Sequence, residues 1–323
     1  MMKTILVSGA AGFIGSRVAE ELLQQKYKVI GIDNMNEYYD VDLKKWRLQS
    51  LQEYKQFSFH KIDIENYEAT RVLFDLYELK AVINEAARAG VRYSMENPHV
   101  YLTTNANGTL NLLELCREYG VKKFVLASTS SLYAGQKMPF KETLAVNTPI
   151  SPYAASKKAA EMMSYSYHYL YGMDISIVRY FTVYGPAGRP DMSIFRFIKW
   201  CMEGTPLNIY GDGSQKRDFT YIDDIARGTV QALKPVGFEV INLGNNRPNQ
   251  LSQAISLIEK YTGERAGFNY SEFHKADMTA TWADIGKAKE LLEWEPVVDL
   301  EEGIKRTVAW TRDNWNWVKE IEV

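Results

Sequence analysis

The 323-residue chain sets 38 Lys and Arg against 40 Asp and Glu, a formal charge of −2, and 46% of it is hydrophobic. This ordinary globular composition argues against disorder and a basic nucleic-acid binder, and the length suits one large or two small domains. Cys116 and Cys201 lie far apart and His60, His99, His168 and His274 are scattered, a pattern that argues against zinc and suits a reducing compartment.

Ile5-Leu6-Val7 is broken at once by Ser8-Gly9, too soon for a signal peptide, and no apolar run approaches the ~20 residues that span a bilayer. The expectation is a cytoplasmic protein with neither metal nor membrane. Short apolar runs then alternate with amphipathic stretches. Strands are predicted at Thr4 to Ser8, Lys28 to Asp33, Phe57 to Ile62, Ala81 to Asn84, Phe124 to Ser128 and Ile175 to Tyr180, with a helix over Arg17 to Gln25. Such strands, separated by helices, indicate a parallel sheet covered on both faces, the doubly wound α/β arrangement. Beyond Tyr180, Gly and Pro become denser through Gly185 to Pro190 and Gly211 to Gly213, which marks entry into a second, smaller lobe. Val240 to Leu243 reads as one more strand of the first lobe, and Ser252 to Thr262 belongs to the second. The expected division is therefore discontinuous: 1–180 with 226–247, and 181–225 with 248–323.

Gly9, Gly12 and Gly15 follow the first strand and open a helix, and Asp33 ends the second strand. Glycines permit a tight turn and bring backbone N–H groups and a helix N-terminus up to a pyrophosphate, while Asp33 can accept from both adenosine ribose hydroxyls. A carboxylate there repels a 2′-phosphate and so favours NAD over NADP. The spacing is G-x-x-G-x-x-G, and helix packing alone is the competing explanation for the glycines.

Ser151-Pro152-Tyr153-Ala154-Ala155-Ser156-Lys157 places Tyr153 and Lys157 four apart on one face of a helix that Pro152 can start. A phenol of reference pKa about 10 is a poor base at neutral pH. An ammonium nearby, with the positive nicotinamide of NAD+, would favour phenolate. A solvated helix face is the alternative. Against it stands the buried-looking strand Phe124 to Ser128, which runs on into the hydroxyls Thr129, Ser130 and Ser131; strand ends are where ligands bind in open α/β sheets.

With these elements in order, the chain resembles the extended short-chain dehydrogenase/reductase family, specifically its NAD-dependent nucleotide-sugar epimerases. The resemblance implies a Rossmann-like sheet with a smaller α/β substrate-binding domain, NAD as cofactor, a UDP-sugar as substrate and a homodimer. It implies catalysis by Thr129, Tyr153 and Lys157. It gives the cofactor to Gly9, Gly12, Phe13, Ile14, Gly15, Asp33, Asn34, Asp63, Ile64, Ala86, Ala87, Asn105, Tyr153, Lys157 and Tyr180. The nucleotide sugar falls to Arg92, Ser94, Ser128, Thr129, Thr182, Arg189, Tyr210, Arg217 and Asp277.

Ala89 to Pro98 and Tyr184 to Met192 look most like the UDP-glucuronate 4-epimerases of that family, with Arg189 matching the arginine beside the sugar carboxylate. A guanidinium fork suits a carboxylate bidentately, although Asp191 could also take it. Dehydratases of the family carry two carboxyls at Ser130 and Ser131, and UDP-xylose-forming decarboxylases a Glu at Ser131. The decarboxylase, a UDP-glucose or UDP-N-acetylglucosamine 4-epimerase, and a non-catalytic NAD-binding protein remain the alternatives. Three positions depart from the family pattern: Glu85 on a normally apolar cofactor wall, Ala134 between Tyr133 and Gly135, and His274-Lys275 where a phosphate-binding arginine is common. Glu85 requires either a partner or an altered wall.

Overall fold

All seven runs expected in the large sheet become strands, each within a few residues of its expected bounds. The computed structural model describes residues 2–272 and 278–323. In chain order the strands are β1 (Thr4–Ser8), β2 (Lys28–Asp33), β3 (Phe57–Lys61), β4 (Leu79–Asn84), β5 (Lys123–Thr129), β6 (Asp174–Tyr180), β7 (Thr182–Tyr184), β8 (Leu207–Tyr210), β9 (Lys216–Tyr221), β10 (Phe238–Leu243), β11 (Pro248–Gln250) and β12 (Phe268–Ser271).

The large sheet has the order β10-β6-β5-β4-β1-β2-β3, and every pairing in it is parallel. Alternate residues of a strand face opposite sides. Ile5, Val7, Ile83, Val125 and Ala127 accordingly enter one core with the Phe13–Gln24 helix, while Leu6, Val82, Phe124 and Leu126 enter another with Leu112, Leu113 and Ala160. The strand order turns round between β1 and β4, so the crevice beyond their C-terminal ends is the place this topology reserves for a ligand.

The second lobe holds a three-stranded sheet, β11-β9-β7, and the parallel pair β12-β8. The chain enters it at β7 and returns through the Ile222–Gln231 helix, which packs on the Phe13–Gln24 helix, before β10 completes the large sheet. Arg17 Nε to Asp223 Oδ1, at 2.7 Å, ties these two helices together. Arg47 bridges the lobes as well, donating to the Ala11, Ala187 and Gly188 carbonyls.

One helix begins irregularly: a π-helical segment, Leu102–Asn107, leads into the regular helix Gly108–Glu118. Gly108 is tight against the core here, since a Cβ on it would lie 2.5 Å from Ile64 Cδ1. π-segments recur where a helix must re-aim side chains at a site.

Candidate active site

The phosphate turn follows directly from its glycines. Gly9 has φ +69°, and a Cβ on Gly15 would stand 2.1 Å from the Gly9 carbonyl oxygen. Only a chain bare at these positions can close the turn and bring the Phe13–Gln24 helix up to it. Asp33 accepts from Ala11 N (3.3 Å) and Met35 N (2.8 Å), and Asn34 donates to Asp63 at 2.7 Å. Ser8 Oγ bonds Asn84 at 2.6 Å and accepts from Ala86 N at 3.2 Å, pinning the end of β1 to that of β4. The resulting cleft is lined by Gly9, Gly12, Asp33, Asn34, Asp63, Ile64, Ala86 and Ala87, all expected to hold the cofactor, and by Asn36, Tyr38, Lys44, Glu85 and Arg88.

Lys44 and Arg88 are additions of the structure. Lys44 Nζ lies 3.8 Å from Asp33 and donates to the Asn36 carbonyl at 2.8 Å. Arg88 Nη1 reaches Asn36 Oδ1 at 3.2 Å, yet its buried Nε has no acceptor. An unsatisfied guanidinium N–H beside a side-chain-free turn at a helix N-terminus, with a carboxylate next to it, fits an anionic diphosphate joined to a ribose diol. These residues fit a dinucleotide.

Asn105 plays a different part from the expected cofactor contact. Its amide accepts from Arg88 N (2.8 Å) and donates to Arg88 O (2.9 Å) and Ser156 Oγ (2.9 Å). It therefore acts through the loop that carries Ala86 to Arg88, holding the wall in place. Phe13 is buried beside Thr182, Gly185, Gly188 and Arg189, and Ile14 packs on the core.

Ser151 caps the Pro152–Tyr171 helix by accepting from Ala154 N at 3.2 Å, with Pro152 in the first turn. Tyr153 and Lys157 then project from one face toward the end of β5. The Thr129 hydroxyl acts on the Tyr153 phenol, and Tyr101 sits edge-on to its ring with centroids 6.0 Å apart. Burial pushes the phenol above its usual range, opposed by the Thr129 hydrogen bond and the Arg189 charge. In the chain alone, the positive charge that opposes burial is that of Arg189. Lys157 Nζ donates to the Ala127 carbonyl at 2.8 Å, and burial pulls its ammonium down to about 8, with Glu85 and Glu161 resisting.

Glu85 has its partner. Tyr180 donates to Glu85 Oε1 at 2.5 Å and also meets Thr229 Oγ1 at 2.8 Å. Burial pushes the carboxyl up to about 7, against the Tyr180 hydrogen bond and the Lys157 charge. Tyr180, expected to touch the cofactor, is buried and spends its hydroxyl on this pair.

At the substrate end, Arg189 lies close enough to Tyr153 to favour its phenolate, but its fork is held by Asp191 through Nε (3.0 Å) and Nη2 (2.5 Å). Ser128 also departs from its expected role: its hydroxyl donates to Glu161 at 2.7 Å, part of a buried pair in which Arg179 binds both Glu161 oxygens. Ser94 is buried and donates to Val91 O at 2.6 Å. Arg92 stacks its guanidinium 3.8 Å above the Tyr210 ring. Arg217 extends from β9 and Thr182 from β7. The turn around Ala134 is a 3-10 segment, Ser130–Tyr133, followed by Gly135 at φ +82°. Asp277, His274 and Lys275 lie outside the described residues.

Comparison with known proteins gives a consistent picture. Residues 5–244 match the model of the NAD dependent epimerase/dehydratase family. The chain is 60% identical over 319 residues to a UDP-glucuronate 4-epimerase of Thermodesulfobacterium geofontis, covering 98% of this chain and 99% of that one. It is similar to the Bacillus cereus UDP-glucuronic acid 4-epimerase solved with UDP-glucuronic acid and NAD (39% identity, TM-score 0.90, 96% of this chain and 99% of that one). The Thermotoga maritima UDP-glucose 4-epimerase, solved with UDP-glucose, is also similar (34% identity, TM-score 0.88, 97% and 99% covered).

Proposed function

The chain belongs to the NAD dependent epimerase/dehydratase family, and we propose that within it this protein interconverts UDP-glucuronate and UDP-galacturonate. The observation that carries this reading is the meeting of Thr129, Tyr153 and Lys157 at the end of β5 with Arg189 alongside, in a chain 60% identical throughout to a UDP-glucuronate 4-epimerase.

NAD, when bound, would supply the hydride acceptor for C4 of the sugar and, once reduced, the donor to the opposite face. Gly9, Gly12, Gly15, Asp33 and Arg88 would hold it along the 1–180 and 226–247 portions, with the nucleotide sugar against 181–225 and 248–323. Tyr153, as phenolate, takes the proton of the sugar 4-hydroxyl, and the Thr129 hydrogen bond steadies that charge. A 4-keto sugar results, turns about its diphosphate linkage, and receives its proton back from Tyr153. Because this keto sugar is a β-keto acid, it loses CO2 if its C5–C6 bond aligns with the carbonyl π system. Arg189 exchanges Asp191 for the sugar carboxylate and holds it out of that alignment. Arg92, Tyr210 and Arg217 would grip the nucleotide.

NMR of the purified protein with UDP-glucuronate tests this directly. Inversion at the sugar 4-position without CO2 loss is expected. UDP-xylose would assign a decarboxylase, and no reaction would redirect the search to neutral UDP-sugars.

We also propose a homodimer. The Pro152–Tyr171 helix exposes Met162, Met163, Tyr165, Tyr169 and Leu170, and Leu102 is exposed as well, more apolar surface than a solvated helix needs. Sedimentation should give twice the 37.0 kDa chain mass; a monomer at micromolar concentration would refute it. The same surface and charge suit a cytoplasmic enzyme, and no helix among the described residues is long and apolar enough to cross a membrane.

A further inference from the structure

Glu85 is a carboxyl of the cleft that the mechanism above leaves without a task. It follows β4, lines the same cleft as Gly9, Ala86 and Ala87, and is only partly buried there, so it faces the space the cofactor reading assigns to NAD. Its Oε1 is fixed by the Tyr180 hydroxyl at 2.5 Å, and Tyr180 is fixed in turn by Thr229. The Lys157 charge acts on it, and Lys157 has Glu161 as its other carboxylate neighbour. Glu161 is itself committed to Arg179. Glu85 is therefore a carboxyl that lines the cleft along with Asp33 and Asp63 and is held in place by the Tyr180 phenol.

We propose that Glu85 biases the bound nicotinamide toward its oxidised form, keeping the enzyme at rest as NAD+ and the 4-keto sugar short-lived. The physical basis is charge. The oxidised ring carries one positive charge and becomes neutral on taking a hydride, so a fixed carboxylate in the wall favours the oxidised side and also offsets the Lys157 ammonium. Because burial brings the Glu85 carboxyl to about 7 and the Lys157 ammonium to about 8, the bias strengthens as pH rises, Glu85 gaining its charge and Lys157 losing its own. The inference rests on the NAD-dependent reading.

The test is cofactor exchange, with no sugar present. Purified protein is equilibrated with fixed mixtures of NAD+ and NADH, freed of unbound nucleotide by gel filtration, and the bound NADH fraction is read from its absorbance. At pH 8, Glu85→Gln should hold roughly tenfold more NADH relative to NAD+ than the unaltered protein, the scale of one charge acting across several ångströms at an effective dielectric near ~20. Glu85→Asp, which keeps a carboxylate on the same wall, should stay closer to the unaltered ratio than Glu85→Gln does. Equal ratios in Glu85→Gln and the unaltered protein overturn the proposal. So does a Glu85→Asp shift as large as that of Glu85→Gln, because contact and not charge would then be responsible. Should Glu85→Gln retain neither form, the unaltered protein decides: its NADH-to-NAD+ ratio must fall from pH 6 to pH 8, and a flat ratio overturns the proposal. Failure of the functional reading looks different, as an unaltered protein that retains neither nucleotide.

Discussion

Tyr153 must give up a proton that its surroundings in the chain hold on to. Burial raises the phenol, and the Thr129 hydrogen bond and Arg189 charge oppose it only in part, so the positive nicotinamide has to supply the rest. Tyr153→Phe should lose at least ~100-fold in kcat with cofactor still bound, the usual scale for a general base. Near-normal turnover would refute the assignment. Arg189 is a second case where one residue decides an outcome. Asp191 already satisfies its fork, so a sugar carboxylate has to compete with a carboxylate of the chain itself. Arg189→Ala should release CO2 and form UDP-xylose from UDP-glucuronate; clean epimerisation with no CO2 would sink that role. Residue types and spacing made the glycine turn, Asp33, Thr129, Tyr153 and Lys157 legible in the sequence. Lys44 and Arg47 carry a signal in the sequence as well. They share the inward face of the Val41–Gln52 helix with Leu43, Leu48 and Leu51, where a solvated lysine or arginine has no reason to be. Arg88 carries no such signal, because its place depends on Asn36 and Asn105, distant from it in sequence.

At the scale of elements, the Pro152–Tyr171 helix is seated by a buried polar chain as well as by apolar packing. Ser128 and Arg179 meet Glu161, Arg179 Nη1 donates to Tyr133 at 2.8 Å, and Tyr133 donates to Asn242 of β10 at 2.8 Å. The helix bearing Tyr153 is thereby locked to β5, β6 and β10 together. Glu161→Ala leaves a buried guanidinium uncompensated and should cost about 3–5 kcal/mol in chemical denaturation. Replacing Glu161 and Arg179 together by Leu should cost far less, and equal costs would show that the pair is not what seats the helix. Strand positions were legible because continuous apolar runs have one comfortable home, a sheet covered on both faces. The π-segment before Gly108 was not, since its register answers to Arg88 and Ser156 on other elements and not to local pattern. Ser128 misled for a related reason: a hydroxyl one residue before Thr129 faces the opposite side of the sheet.

For the molecule as a whole, the seven-stranded sheet is assembled from chain that leaves and comes back. β6 ends at Tyr180, and its outer neighbour β10 begins only at Phe238, after three strands of the second lobe. On a ribosome, the backbone N–H and C=O groups along the outer edge of β6 therefore emerge with no mate. At ~5–20 residues per second they wait for roughly 3–13 s until β10 follows. An apolar strand edge open for that long is a template for pairing with another nascent chain. β7, β8 and β9 must thus be synthesised before the large sheet can close its own edge, and during that interval the polypeptide depends on slow encounter or on a chaperone to stay single.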